Sequence, residues 1–218
     1  MPLERATMIR TALTLLNEVG FDGLTVRRLA ERLGVQNPAL YWHFKKKQEL
    51  LNEMAKTMLA DAFAGIESPP MIDQWADWLA EAAERYHGML LTYRDGARVI
   101  ATADVKGSAL QDIQEMALHV LTAAGFDLRT AFVSIITILD YTLGAAFEEQ
   151  TDPDYGTIHR SYSLKPRLLP LDPVRFPHLI AAQDELTEGT VDNSHIGFRG
   201  GIQLLLIGMV MTKQLSNT

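Results

Sequence analysis

The stretch Thr25-Val26-Arg27-Arg28-Leu29-Ala30-Glu31-Arg32-Leu33-Gly34-Val35-Gln36-Asn37-Pro38-Ala39-Leu40-Tyr41-Trp42-His43-Phe44-Lys45-Lys46-Lys47 reads as two short helices around a tight turn. Thr25 is a natural N-cap, and Leu29, Ala30 and Leu33 share one face before Gly34 stops the helix. The residue before a proline is pushed out of the α region, which suits Asn37 as the next cap and Pro38 as the first helical residue. The second helix then runs from Asn37 to about Trp42. This is the arithmetic of a helix-turn-helix, in which one helix braces the backbone and the next enters the major groove of DNA.

The second helix carries the chemistry that reading a duplex needs. Its N-terminus offers free N–H groups and a positive dipole end to phosphate. Asn37 has the amide geometry for an adenine edge, and Ala39 fits a thymine methyl. Tyr41 and His43 can hydrogen-bond phosphates, Trp42 closes the helix, and Lys47 follows with Lys45 and Lys46. Arg27 starts the bracing helix within reach of a base edge or the flanking backbone. The candidate DNA-binding set is therefore Arg27, Asn37, Pro38, Ala39, Tyr41, Trp42, His43 and Lys47. Any small helical bundle supplies two helices and a turn, and a lysine triplet is commonly a solvated face. The reading gains weight because the spacing, the glycine turn, the Asn-Pro start and the basic patch fall together.

Outward from this stretch, helical periodicity dominates and no alternating strand-like runs appear. A first helix spans about Glu4 to Val19, with Ile9, Ala12, Leu13 and Leu16 on one stripe and Gly20 as its stop. A fourth starts near Lys46 and carries Leu50, Leu51, Met54 and Met58. Beyond Ser68-Pro69-Pro70, helices are expected near Met71–Leu91, Arg94–Thr102, Ser108–Ala124, Leu128–Gln150, Phe176–Glu188 and Ser194–Gln214. The segment Thr151–Pro173 reads as a long loop. The fold class is all-α, about ten helices in two parts. Residues 1–46 form a DNA-binding domain and 47–218 an effector-binding and dimerisation domain, and a helix from about 46 to 64 connects the two.

Bulk properties agree. The chain has 218 residues, 47% of them apolar, and no cysteine, which rules out disulfides and fits a reducing cytoplasm. Net charge is −7, but residues 1–50 carry eight Lys/Arg against five Asp/Glu, while the remainder carries twelve against twenty-two. A basic head on an acidic body lets only the head meet phosphate. The start lacks a secretory signal, and the apolar run Ile202–Met211 is about half the roughly twenty residues a bilayer needs, so no membrane is expected. Paired catalytic carboxylates, phosphate loops and metal-spaced histidines are absent from the pattern, so an enzyme is not expected.

The quoted stretch, from Leu24 through Lys47 with Leu50-Leu51, resembles the DNA-binding domain of tetracycline-repressor (TetR) family regulators, and Leu40-Tyr41-Trp42-His43-Phe44 is similar to the tetracycline-repressor branch itself. Tyr93-Arg94-Asp95-Gly96-Ala97, Ala124-Gly125-Phe126, Thr142-Leu143-Gly144-Ala145 and the final helix with Phe198, Gly201 and Gly208 extend the resemblance over nearly the whole chain, residues 151–190 excepted. It implies a homodimer of helical subunits, each with a three-helix head and an effector-holding body.

In that branch the effector enters as a magnesium chelate. The resemblance places Phe63, Ala82, Ile100, Ala103 and Ala117 where the branch has His, Asn, His, Thr and Gln, with Tyr86 on an aromatic position and Glu148 on the carboxylate for metal-bound water. Ile100 cannot ligate a metal and a lone Glu148 is a poor magnesium site, so neither tetracycline nor any cofactor or metal carries over. The expected pocket is greasier, walled by Phe63, Trp78, Ala82, Tyr86, Ile100, Ala117, Phe132, Ile135 and Leu139, with Tyr86, His119 or Asp140 supplying polarity. An apolar stripe is also what an ordinary core looks like.

Thr130–Phe147 and Ile196–Met211 are apolar nearly all round, and a helix greasy on every face must be covered on every face. A two-fold four-helix bundle covers both, one burial inside the monomer being the alternative. The expected partners are palindromic double-stranded DNA, a small, largely apolar effector and a second copy of the chain. The expected function is a repressor released by that effector. An activator, or a regulator answering to a protein partner, fits the same residues.

Overall fold

The computed structural model describes residues 4–69, 71–151, 172–188 and 197–216. Among them are ten α-helices, one short 3-10 turn and no strand. The all-α reading holds.

Helix α1 (Arg5–Gly23) buries Ile9, Ala12, Leu13 and Leu16, the stripe that the apolar spacing predicts, and Met8 and Leu15 besides. Gly20 interrupts it, at the position read as its stop. Gly20 takes φ 70° and ψ 177°, so regular helix breaks there and a separate short turn follows to Gly23. That conformation is open to glycine and strained for other residues. Helix α2 (Val26–Leu33) starts on Thr25, whose hydroxyl accepts the Arg28 N–H at 3.1 Å, and ends on Gly34 in the left-handed region. A cap of this kind contributes about 1 kcal/mol.

Helix α3 (Asn37–Tyr41) is capped by Gln36, one residue earlier than expected, so Pro38 sits second. Proline fits there because the first-turn N–H groups lack helical partners anyway. At five residues α3 is too short for a substantial macrodipole, which weakens the expected phosphate attraction at its start. Leu40 and Phe44, 1% and 0% exposed, pin it to the head.

Helix α4 (Lys47–Ala62) buries Leu50, Leu51, Met54, Ala55, Met58 and Leu59. It packs on α1 on the head side. On the body side it meets α5 (Trp75–Thr92), α6 (Gly96–Thr102) and α7 (Ala109–Ala123). One hydrophobic core therefore runs through α4 from head to body. Burying a leucine fully is worth about 1.5–3 kcal/mol, so α4 is held from both sides.

Helices α5 and α6 both begin later than the sequence suggests. A 3-10 turn, Ile72–Gln74, precedes α5, and Asp95 at φ 59° turns the chain before α6. Helix α8 (Leu128–Thr151) packs against α5, α6, α7 and α10 (Phe198–Ser216). Helix α9 spans Pro177–Glu188. Most of the expected Thr151–Pro173 loop and the Ser194 start of the last helix lie outside the described residues.

Helix α8 is longer than the Ile202–Met211 run singled out from sequence. An 18-residue stretch within its 24 residues reaches a mean hydropathy of 1.6, enough by length and apolarity alone to cross a membrane. It carries Asp140 mid-helix and lies against four other helices. Phe132, Val133 and Phe147 of α8 stay exposed, as do Leu204, Ile207, Val210 and Met211 of α10. The start of α10 is fixed by His87, stacked on Phe198 at 3.9 Å and 2.9 Å from the Glu149 carboxylate.

Candidate functional site

Two regions bring the sequence candidates together. The first is the outer face of the head. Pro38, Ala39, Tyr41, Trp42 and His43 all stand in solvent on α3 or just after it, with Tyr41 50% and Trp42 87% exposed. Asn37 occupies the first position of the same helix. Arg27 is exposed on the first turn of α2, its Nε donating to Glu31 at 3.0 Å.

Lys47 is different. Its ammonium donates to the Phe21 carbonyl and lies 4.5 Å above the Phe21 ring. Partial burial pulls its pKa below the usual lysine value. A lysine held this way has little left for phosphate. The exposed lysines of the triplet are Lys45 and Lys46. Sequence alone does not distinguish the three, because the residue that turns Lys47 inward is 26 positions away.

The second region is a cavity in the body. Its wall takes Phe63, Trp78, Ala82, Ala117, Ile135 and Leu139 from the candidate set, together with Leu79, Ala83, Ile113, Gln114 and Ile138. The additions sit beside, or three or four positions from, residues already on the stripe, which is the signal that could have found them. Tyr86 stacks on Phe63 with centroids 6.3 Å apart. Ile100 is buried, but on α6 outside the cavity lining. Phe132 is 52% exposed and stands away from the cavity. His119 faces solvent, so it cannot supply the pocket's polarity. Gln114, unremarked in the sequence, does reach the lining.

The space enclosed is about 30 Å³, close to one water's share of the liquid. A ligand of any size must therefore push the walls apart. Phe63 caps the C-terminal end of α4, so it couples those walls to the connecting helix.

Beside the cavity a wider groove of about 790 Å³ opens along α8. It is lined by Ala101, Asp140, Tyr141, Gly144, Phe147 and Glu148, among others. Burial drives the Tyr86 phenol well above its ordinary pKa, and the nearby Asp140 carboxylate adds to the shift. Ile100 is hydrocarbon, and no three ligating side chains converge among the described residues.

Between the two regions the body grips the head. Asp95 accepts the Phe21 N–H at 2.7 Å, Arg94 N–H donates to Asn17 at 2.8 Å, and Arg98 pairs with Asp22. A further ion pair joins Arg10 of α1 to Asp61 near the end of α4. These contacts tie α1 to α4 and to the Arg94–Arg98 segment at the start of α6.

Comparison with known proteins places this geometry. Residues 8–54 match the family described as bacterial regulatory proteins, tetR family, and residues 69–212 match the tetracyclin repressor-like C-terminal domain. The class A tetracycline repressor from transposon 1721 of Escherichia coli is 46% identical over 155 residues, 71% of either chain. The class G repressor of Vibrio anguillarum is 35% identical over 211 residues, covering 94% of this chain and 93% of its own. Among solved structures, a TetR variant from Acinetobacter baumannii in complex with minocycline aligns at TM-score 0.71 and 33% identity, over 97% of this chain and 98% of that one.

Proposed function

The chain belongs to the TetR family of bacterial regulatory proteins, and we propose that it acts as a homodimeric repressor, released from a palindromic operator by a small, largely apolar effector. As a member it is a ligand-responsive, DNA-binding regulator. The finer roles follow from what its residues can do.

One observation carries the reading: a single helix, α4, begins just after the exposed α3 and ends at a wall residue of the apolar cavity, Phe63. Its sixteen residues span about 24 Å. A ligand that opens the cavity acts on one end of this rod while the DNA-reading surface rides on the other. Two heads in a symmetric pair must present their reading helices about 34–36 Å apart. A ligand that prefers a tilted α4 changes that spacing and weakens operator binding, by no more than its preference between the two states. On this reading Arg27, Asn37, Ala39, Tyr41 and His43, with Lys45 and Lys46, meet the duplex, and the exposed faces of α8 and α10 meet those of the second copy.

The experiment is sedimentation and gel retardation on one sample. Wild type is expected to sediment as a dimer and to retard a palindrome from its own genomic neighbourhood. Leu204→Glu is expected to give a monomer that has lost the retarded band. A wild-type monomer, or indifference to every neighbouring duplex at low salt, would overturn the proposal.

A further inference from the structure

We propose that the effector enters the apolar cavity past the Trp78 indole, which acts as a door between the cavity and an outer pocket beside α5. The inference rests on the effector reading above and adds to it the route of entry and the residue that controls it.

The cavity holds about 30 Å³, so a ligand reaches it only where part of its wall gives way. The groove along α8 and the hollow lined by Asn17, Arg94 and Gln150 have no lining residue in common with it. A third space, of about 480 Å³, opens between α5 and residues 65–69. It shares one lining residue with the cavity, and that residue is Trp78. The side chain is 7% exposed, so it stands between the two spaces as a partition.

A single hydrogen bond latches this partition. The indole N–H donates to the Glu67 carbonyl at 2.7 Å, and Glu67 itself lines the outer pocket. Glu67 lies in irregular chain after α4 and is exposed, so its carbonyl can turn to water once released. A hydrogen bond exchanged for one to solvent costs little net free energy. The other wall residues stand on α5, α7 and α8 or at the end of α4, where opening means separating packed helices.

The segment that carries the latch is fastened at its other end as well. Arg85 donates from Nη1 to the Ala64 carbonyl at 3.2 Å, while Nε and Nη2 hold Glu81. Gly65 turns the chain between the two fastenings at φ 69°. The segment follows directly on Phe63, so the door and the end of α4 belong to one piece of chain. Entry by this route disturbs the end of the helix that couples the cavity to the head.

The test is stopped-flow binding of N-phenyl-1-naphthylamine, an uncharged apolar dye that brightens on leaving water, to the purified full chain. Ala117→Leu and Ala82→Leu fill the cavity from α7 and from α5, and each is expected to weaken equilibrium binding about ten-fold. Binding untouched by both would put the dye elsewhere and sink the inference. Trp78→Phe keeps an aromatic ring at the partition but loses the N–H, and is expected to speed association about five-fold. Arg85→Gln leaves the indole in place and frees the other end of the segment, so it is expected to speed association about two-fold. A contact, unlike a door, acts mainly on the rate of leaving. Faster dissociation of Trp78→Phe at an unchanged association rate would therefore overturn the door and leave the cavity reading standing. No dye binding by a wild-type chain that still retards its operator would overturn cavity and door together, and leave the DNA-binding reading intact.

Discussion

Arg98 on α6 and Asp22 near the end of α1 are joined by two parallel hydrogen bonds, of 2.8 and 2.9 Å, across 76 residues of sequence. The same guanidinium lies 4.2 Å above the Phe21 ring, and Lys47 lies 4.5 Å from that ring. Phe21 is thus gripped by cations from the body and from the connecting helix, while Asp95 takes its N–H. The head is docked through this short segment rather than left to swing freely.

Arg98→Ala should therefore loosen the docking without melting the body. Hydrogen exchange is expected to quicken at the amides of residues 17–23 and to stay unchanged across Ile113–Leu121. Equal quickening in both segments would show that Arg98 supports the whole fold instead.

Acid should release the same contacts. Arg98 holds the Asp22 carboxyl below its ordinary value of 3.8, and Arg10 does the same for Asp61. A depressed folded-state pKa means that the unfolded chain binds more protons in that interval, so stability rises with pH there. The contribution is full above the ordinary value and is lost as pH falls through the folded one. Urea midpoints are expected to fall as pH drops below about 4, and Asp61→Asn is expected to lessen the fall. A variant curve parallel to wild type would remove Asp61 from the account.

Two glycines should resist change for different reasons. At Gly20 a β-carbon would lie 2.9 Å from the Asp95 carboxylate, on a backbone at φ 70°. At Gly96 it would lie 2.2 Å from the Leu90 carbonyl oxygen, which is backbone and cannot swing away. Each alanine substitution is expected to cost about 1–3 kcal/mol in chemical unfolding, with Gly96→Ala the worse. A neutral result at Gly96 would mean that the α5–α6 corner is looser than its packing indicates.

On the head, Tyr41→Ala is expected to weaken operator binding at least ten-fold, with sedimentation unchanged, because half of that side chain already stands in water. Lys45→Ala and Lys46→Ala are each expected to lower the slope of log affinity against log salt by about 0.9. Lys47→Ala should leave the slope alone and reduce stability instead, since its ammonium is spent on Phe21. Equal slopes losses from all three lysines would contradict the inward placement of Lys47.

Much of this architecture was readable from residue order. Thr25, Gly34, Ser108 and Gly125 mark their helix ends through chemistry confined to one turn of chain, and all four do so here. The departures come where distant residues decide. Gly20 does break the first helix, but the short turn beyond it, where Asp95 accepts the Phe21 N–H, was not foreseen. Phe132 sits three and seven positions before Ile135 and Leu139, so spacing puts it on their face. The N-terminal part of α8 nonetheless runs past the cavity and leaves Phe132 in solvent. A helix apolar on all sides offers no periodic clue to which neighbour covers which face. Burial of Ile100 outside the cavity lining reflects the same ambiguity.

The three indoles of the chain divide unevenly: Trp75 and Trp78 are walled in, while Trp42 projects from the tip beside α3. Indole emission reports on contact with water, so an aqueous quencher such as iodide would reach one fluorophore and spare two. Anything laid over that tip shields it, and the sheltered pair serves as an internal standard. The molecule thus carries its own unlabelled optical gauge of occupancy at the surface where occupancy matters.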